Sequence, residues 1–439
     1  MNNLKIAKFG GSSVADAAQF LKVKKIIEAD KERRYVVVSA PGKRHSEDNK
    51  ITDLLYLCHA HIKYSVPFDQ VFQIITDRYL GIVNELNLDL DISSYLDEIK
   101  GNMKKGISID YLVSRGEYLN ALIMAKFLEY EFIDASEIIY FDNNGSIDLK
   151  QTEEKMIREL SKYDYAVIPG FYGSSPNGEI KTFSRGGSDI TGAVVSRIAH
   201  ADIYENWTDV SGFLMADPRI VKDPEPIEKI TYRELRELSY MGASVLHEEA
   251  IFPVRDAGIP INIRNTNEPD NPGTIITKDE SSDKIVTGIA GKKDFTVIAI
   301  DKNHMHSDIG FIRKILSILE MNNICFEHLP SGIDSVSIVI SNCRLENKLN
   351  TIIDEINKQC DPDSLNVYTN MALIATVGNN MAYTTGISAK LFTALGDEKI
   401  NIRMIDQGSS EINIIVGIEE KDFEKAIKAI YKAFVEEYK

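Results

Sequence analysis

Apolar runs of strand length alternate with longer amphipathic patterns over roughly the first 265 residues of the chain. "LKIAKF", "YVVVSA", "YAVIPG", "ADIYENW" and "IPINIR" read as strands. Asp16 to Ala29, several segments between the second and third strands, and the stretch after Ser188 read as helices. Continuously apolar, β-branched strands separated by helices are covered on both faces. The pattern therefore predicts an α/β domain, a mostly parallel sheet in a three-layer αβα arrangement. Ligands of such sheets lie beyond the strand C-termini, where the glycine-rich "FGGSS", "SAPGK" and "PGFYGSSPNGE" gather.

Residues 267–288 are rich in Asn, Pro, Asp and Ser and lack a long period, so they read as a link. Beyond them the chain repeats itself. An ungapped shift of 76 residues lays "TVIA" on "ALIA" and pairs Asn303 with Asn379, Met305 with Met381, Gly310 with Gly386, Leu319 with Leu395 and Ile338 with Ile414. Each copy reads strand, helix, strand, strand, helix, with a final strand evident only in the first. This is the pattern of a ferredoxin-like βαββαβ module. The expected domains are 1–288, 289–370 and 371–439, with strands possible to exchange between the two modules. The crevice between equivalent strand-to-helix loops suits a small ligand.

Bulk properties narrow the partners. The length of 439 residues allows about three domains. A net charge of -16 opposes sequence-independent affinity for nucleic acid or anionic membrane, leaving small molecules. The four cysteines form no C-x-x-C pair, and no apolar run nears the ~20 residues that span a bilayer, so a cytoplasmic protein is expected.

Lys8 and Phe9 end the first strand, and Gly10, Gly11, Ser12 and Ser13 follow. Their N–H groups can converge on a phosphate, with Lys8 offsetting charge on a transferred phosphoryl group. The same residues also make an ordinary strand-to-helix turn. No Gly-Lys-Ser/Thr follows, as a Walker loop requires, and no G-x-G-x-x-G dinucleotide fingerprint is present.

In "FSRGGSDITGA" Ser188 reads as an N-cap after Gly186 and Gly187, and Asp189 falls in the first turn, placed to orient Lys8 or a metal. Arg185 suits a carboxylate clamp or lies in solvent. A helix opening at Gly116 and Glu117 puts the glutamate where it favours the helix dipole, or a substrate ammonium. Thr208, Asp209 and Arg219 suit a nucleotide, or else simple turns. The histidines of "CHAH" and "HMH" lack further ligands, so no protein metal site is expected; Mg²⁺ would arrive with a nucleotide.

Taken in order, "KFGGSSV", "SRGE", "PGFYG", "FSRGGSD", "WTDVSG" with "DPR", and "GASVLH", ahead of two tandem modules, resemble the aspartokinases over nearly the whole chain. These are members of the amino-acid kinase superfamily. The resemblance implies a carbamate-kinase-like catalytic domain followed by two ACT modules. It implies transfer of the γ-phosphoryl group of ATP, with Mg²⁺, to the β-carboxylate of L-aspartate. By the resemblance, Lys8 and Asp189 are catalytic. Phe9, Gly10, Gly11, Ser12, Ser13, Thr208, Asp209, Leu214 and Arg219 meet ATP. Ser39, Thr52, Glu117, Arg185, Gly186, Gly187 and Ser188 meet aspartate, Arg185 at its α-carboxylate and Glu117 near its amino group. An amino-acid effector, L-lysine first and L-threonine second, is expected at Met305, Ser307, Asp308, Glu327 and Ser335. A homodimer or dimer of dimers through the ACT modules is expected. The end at Lys439 leaves no room for an appended homoserine dehydrogenase, so a monofunctional form is expected. Ser244 stands where the family often has a lysine, Glu248 where it has proline, Ser12 for threonine and Leu214 for an aromatic. The missing lysine would weaken ATP binding unless Lys222, Lys229 or another lysine supplies the charge.

Overall fold

A computed structural model describes residues 3–105, 107–184, 186–242, 252–279 and 282–436. The chain divides into two units: Met1–Phe213, Glu228–Tyr232 and Val245–Glu280 in the first, and Leu214–Ile227, Arg233–Ser244 and Ser281–Lys439 in the second.

In chain order, the first unit runs through β1 (Lys5–Phe9), α1 (Ala17–Glu28), β2 (Arg33–Val38), α2 (Ile51–Lys63), α3 (Asp69–Glu85), α4 (Ile92–Met103), α5 (Ile109–Leu128) and β3 (Glu131–Phe132). It continues with α6 (Ala135–Ile138), α7 (Leu149–Leu160), β4 (Ala166–Pro169), a hairpin of β5 (Tyr172–Ser174) and β6 (Ile180–Thr182), α8 (Gly187–Ile198) and β7 (Ile203–Thr208). The short strands β8 (Phe213–Leu214) and β9 (Pro226–Ile227) precede β10 (Lys229–Thr231) and α9 (Tyr232–Tyr240); of these, Leu214, β9 and α9 from Arg233 on belong to the second unit. After them come α10 (Phe252–Ala257), β11 (Ile261–Asn265) and β12 (Thr274–Thr277).

Eight of these strands form one sheet in the order β10-β12-β11-β7-β1-β2-β4-β3, parallel except where β11 meets β12. Strand alternation decides what each face holds. Phe9 joins the core with Val36, Val38 and Trp207 beneath α1 to α5, while Lys8 projects to the face covered by α8. Short polar side chains start the helices by accepting otherwise unpaired N–H groups: Asp16 accepts from Gln19 at 2.9 Å and Ser108 from Tyr111 at 3.1 Å. The stretch 267–288, expected to be a link, contains β12. The four-residue run "TIIT" inside Asn/Pro-rich sequence is too short to show a period, yet it pairs with both β10 and β11.

The second unit holds β13 (Gly288–Asp301), α11 (Phe311–Met321), β14 (Ser335–Ser341), α12 (Asn342–Leu345), α13 (Leu349–Cys360), β15 (Ser364–Val377), α14 (Ile387–Asp397), β16 (Met404–Asp406), β17 (Asn413–Glu419) and α15 (Phe423–Phe434). One antiparallel sheet, β14-β13-β15-β17-β16, runs through both repeats. Its two central strands are each 14 residues long. The second half of β13, from Phe295, pairs with β14 and with the start of β15; its first half, Gly288–Lys292, pairs with Leu373–Val377 of β15. The final strand that the second repeat lacks in sequence is therefore supplied by the beginning of the first.

Candidate active site

Lys8 and Asn206 are register partners on the neighbouring parallel strands β1 and β7, near their C-terminal ends. From α8, Asp189 forms an ion pair with the Lys8 ammonium. Asn206 touches both partners: its Nδ2 donates to Asp189 Oδ1 at 2.9 Å and its Oδ1 accepts from Lys8 Nζ at 3.5 Å. Both Lys8 and Asn206 are buried. The α8 N-terminus is itself held in place. Tyr204, fully buried on β7, donates its hydroxyl to the Asp189 carbonyl at 3.1 Å, and Thr191 Oγ1 accepts from Phe171 N–H at 3.2 Å.

The helix begins two residues earlier than expected. Gly186, at φ 58°, occupies the cap, and no side chain makes the capping bond. Ser188 is thus within the first turn rather than the N-cap. A left-handed cap position suits a residue without Cβ. A side chain on Gly170 would strike Ser188 Cβ at 2.6 Å, so the loop after β4 lies tight against this turn.

The loop after β1 lies over the loop after β2. Gly10 N–H donates to the Trp207 carbonyl at 2.9 Å and Gly42 N–H to the Gly11 carbonyl at 2.8 Å. Residues Gly11–Val14 form a 3-10 turn before α1. Ser13 is buried there: its Oγ donates to the Trp207 carbonyl at 3.4 Å and accepts from Thr266 Oγ1 at 2.8 Å, so this hydroxyl fastens the loop. Buried Arg78 on α3 clamps both loops, donating to the carbonyls of Ala15 at 3.2 Å and Gly42 at 3.0 Å and to Asp48 at 2.6 Å. Hydrogen bonds from Arg44 hold the Asp48 carboxyl well below the usual carboxylate range.

Glu117 is not in a first helical turn. It lies in the interior of the 20-residue α5, whose cap is Ser108, so the helix dipole does not account for it. The apolar face of "IDYLVS" extends the helix upstream of Gly116. A side chain on Gly116 would meet Ala40 Cβ at 2.9 Å, so α5 presses on the loop after β2. Glu117 is buried, its Oε2 has no hydrogen-bond partner among the described residues, and burial pushes its carboxyl up to about 8 against the opposing pull of the Ala40 N–H, its own N–H and the Arg115 charge. One turn on, Asn120 Nδ2 donates to the Ser39 carbonyl at 2.7 Å. Thr52 sits in the first turn of α2, half-buried.

The structure gathers Lys8, Gly10, Gly11, Ser12, Ser39, Glu117, Ser188 and Asp189 around the sheet edge of the first unit. Thr208, at the end of β7, donates to exposed Asp209 at 3.1 Å. Leu214 and Arg219 belong to the second unit, where exposed Arg219 grips Asp217 at 2.6 Å. Arg185, Ser244 and Glu248 lie outside the described residues. Lys222 is exposed and Lys229 lies on β10. Among the described residues no group of three acidic, histidine or cysteine side chains could hold a metal.

Of the expected effector residues, Met305 is buried and Ser307 Oγ donates to the His304 carbonyl at 2.9 Å. Their loop lies against the turn before Ser335, through His306 N–H on the Ile333 carbonyl at 3.1 Å. Glu327 is not brought to this loop. Its N–H pairs with Val339, further along β14, and its carboxylate meets Arg344 at 3.5 Å and the Tyr240 hydroxyl. Asn206, Asn120 and Arg78 were missed in the sequence. The pair of polar residues, Glu205 and Asn206, within the buried run of β7 was the available signal for Asn206.

The amino acid kinase family model matches residues 3–265, and an ACT domain model matches residues 374–434. The chain is 36% identical over 449 residues to aspartokinase 3 of Bacillus subtilis (strain 168), covering 98% of each. It is 30% identical over 464 residues to chloroplastic aspartokinase 1 of Arabidopsis thaliana, covering 98% of this chain and 80% of the relative. The crystal structure of aspartate kinase from Clostridium acetobutylicum superposes with a TM-score of 0.92 at 61% identity, covering 98% of this chain and all of that one. Among the described residues no helix is long and apolar enough to cross a membrane. With a kinase model spanning its parallel sheet and relatives matching it nearly end to end, the chain belongs to the aspartokinases of the amino acid kinase family.

Proposed function

We propose that this chain transfers the γ-phosphoryl group of ATP to the β-carboxylate of L-aspartate, giving 4-phospho-L-aspartate, the first step toward lysine, threonine and methionine. The observation that carries this reading is the Lys8–Asn206–Asp189 cluster, with Lys8 and Asn206 buried, beside the Gly10–Gly11 loop. A carboxylate is already a competent nucleophile, so positioning and charge stabilisation suffice without a strong base. Loop N–H groups and the α8 N-terminus supply partial positive charge, and the Lys8 ammonium offsets charge spreading over the equatorial phosphoryl oxygens. Glu117 takes the substrate ammonium, and Arg185 its α-carboxylate. Thr208, Asp209, Leu214 and Arg219 serve the nucleotide. Among the described residues Asp189 is the carboxylate paired with Lys8, which fits a Mg²⁺ held mainly by nucleotide phosphates; such an ion would offset charge on the phosphoryl oxygens.

The ACT modules bind an end-product amino acid, L-lysine before L-threonine, and pair between two copies of the chain. The N-terminus of α11, beside Ser307 and Asp308, offers backbone N–H groups to its carboxylate and Asp308 a carboxylate to its ammonium.

Purified protein given L-aspartate, Mg-ATP and hydroxylamine should form aspartyl hydroxamate, which traps the acyl phosphate. Added L-lysine should suppress it. Folded protein that makes no aspartate-dependent hydroxamate overturns the reading, and suppression by threonine alone reassigns the effector.

A further inference from the structure

We propose that Asn206 is a positioning residue for phosphoryl transfer, the bridge that fixes the Lys8 ammonium in its working direction; this rests on the kinase reading above. An ammonium has three donors, and beside a lone carboxylate it swings freely to satisfy that partner. Here Asp189 Oδ1 takes one donor and Asn206 Oδ1, at 3.5 Å, takes a second. The third is left for a ligand. Nζ lies 3.6 Å from where a Cβ on Gly10 would sit, and Gly10 has none, so this donor opens on the phosphate loop.

The amide also acts on the carboxylate, with Nδ2 donating to Asp189 Oδ1 at 2.9 Å. An amide carries its acceptor and its donors on separate atoms of one planar head, so it accepts from a cation and donates to an anion at the same time. A neutral bridge does so without adding charge to a buried pair, whereas a third charge there would need its own partner. Asn206 is placed for the task by strand register, directly opposite Lys8, and its own side chain is 4% exposed. The structure thus makes the chemistry a triad rather than a pair: Lys8 from β1, Asn206 from β7 and Asp189 from α8.

Two variants of the full chain test this. Asn206→Leu keeps the branched shape and removes both polar contacts. A displacement of the ammonium by about 1 Å should lower kcat roughly 10- to 100-fold, while KM for aspartate and for ATP stays within about threefold, the pattern of an interaction made in the transition state. Asn206→Asp keeps the acceptor and loses the donor until its new carboxyl is protonated. The charged groups facing that carboxyl are Lys8 and Asp189. Its kcat, relative to wild type, should therefore climb as pH falls, because the protonated form donates to Asp189 again. A packing role alone would lower thermal stability and leave the pH profile parallel to wild type.

Melting temperatures show which variants are folded, and the Asp variant decides if the Leu variant is not. The inference is overturned by a Leu variant with kcat within threefold of wild type, by a rise confined to KM, or by an Asp profile parallel to wild type. Wild-type protein that forms no hydroxamate overturns the kinase reading and this inference with it. An active wild type with undiminished variants overturns this inference alone.

Discussion

A carboxyl that burial lifts to about 8 is mostly protonated at neutral pH, and Glu117 is such a group. An arriving ammonium favours its ionised form, so aspartate binding by the proposed route releases a proton. Apparent affinity for aspartate should therefore improve about tenfold between pH 7 and 9, as the carboxyl ionises unaided. Glu117→Gln should raise KM for aspartate roughly 10- to 100-fold, the worth of one charged hydrogen bond, and flatten that slope. Steady-state KM across pH checks both, and an unchanged slope in the variant would move the dependence to another group. The same shift acts on stability. Because the folded value lies above the ordinary 4.5, the stabilising contribution is complete below about 4.5 and is lost as pH rises toward 8. Unliganded wild type should lose melting temperature over that window relative to Glu117→Gln. At this scale the sequence revealed residues whose type announces chemistry in a loop, Lys8 and Asp189 among them. It concealed Asn206 and Asn120, whose roles depend on which strand or loop the fold sets opposite them.

Between elements, glycines mark where backbones meet, and they differ sharply in what they tolerate. Gly42 has no space: a Cβ there would lie 2.6 Å from the Gly11 carbonyl carbon and 2.8 Å from Ser12 N, both main chain. Gly42→Ala should force the phosphate loop from its place, raising KM for ATP about tenfold and lowering stability by about 1–3 kcal/mol, as overpacking does. Gly81, inside α3, faces nothing within 4 Å. Gly81→Ala should stabilise by about 0.5–1 kcal/mol through helix propensity alone, without kinetic effect. Denaturant unfolding and KM for ATP, measured on both, separate the two cases; a Gly42 variant with normal KM would show that the loops do not share the nucleotide. Alternation of strands and helices was legible because buried parallel strands are continuously apolar. Element ends were less so. Ser188 resembles a cap by type, but the left-handed turn at Gly186 ends the loop first. Glu117 resembles a helix start because Gly116 precedes it, although that glycine serves the contact with Ala40 inside α5.

For the chain as a whole, the decisive feature is that neither repeat is complete by itself. The 76-residue period was legible, since each copy keeps its own apolar spacing. The sharing of strands was not, because a 14-residue strand serving two modules looks locally like two ordinary strands. Its consequence is mechanical. The fourth strand of the second repeat is Gly288–Lys292, continuous with the first strand of the first repeat, and β15 is likewise shared in the opposite sense. The modules should therefore open together, as one cooperative unit. Gly291 is the place to test this, because a Cβ there would lie 2.7 Å from both the Leu373 carbonyl oxygen and Phe423 Cε2, at the pairing of β13 with β15. Gly291→Ala wedges only the second repeat directly and should cost about 1–3 kcal/mol. Hydrogen exchange resolved by residue reads the outcome. Shared strands require protection to fall by similar factors at Ile374 and Val416 in the second repeat and at Ile298 and Ile338 in the first, all fully buried strand positions. Loss confined to Ile374 and Val416 would mean that the first module holds its sheet without the second, and that effector binding in one need not be felt by the other.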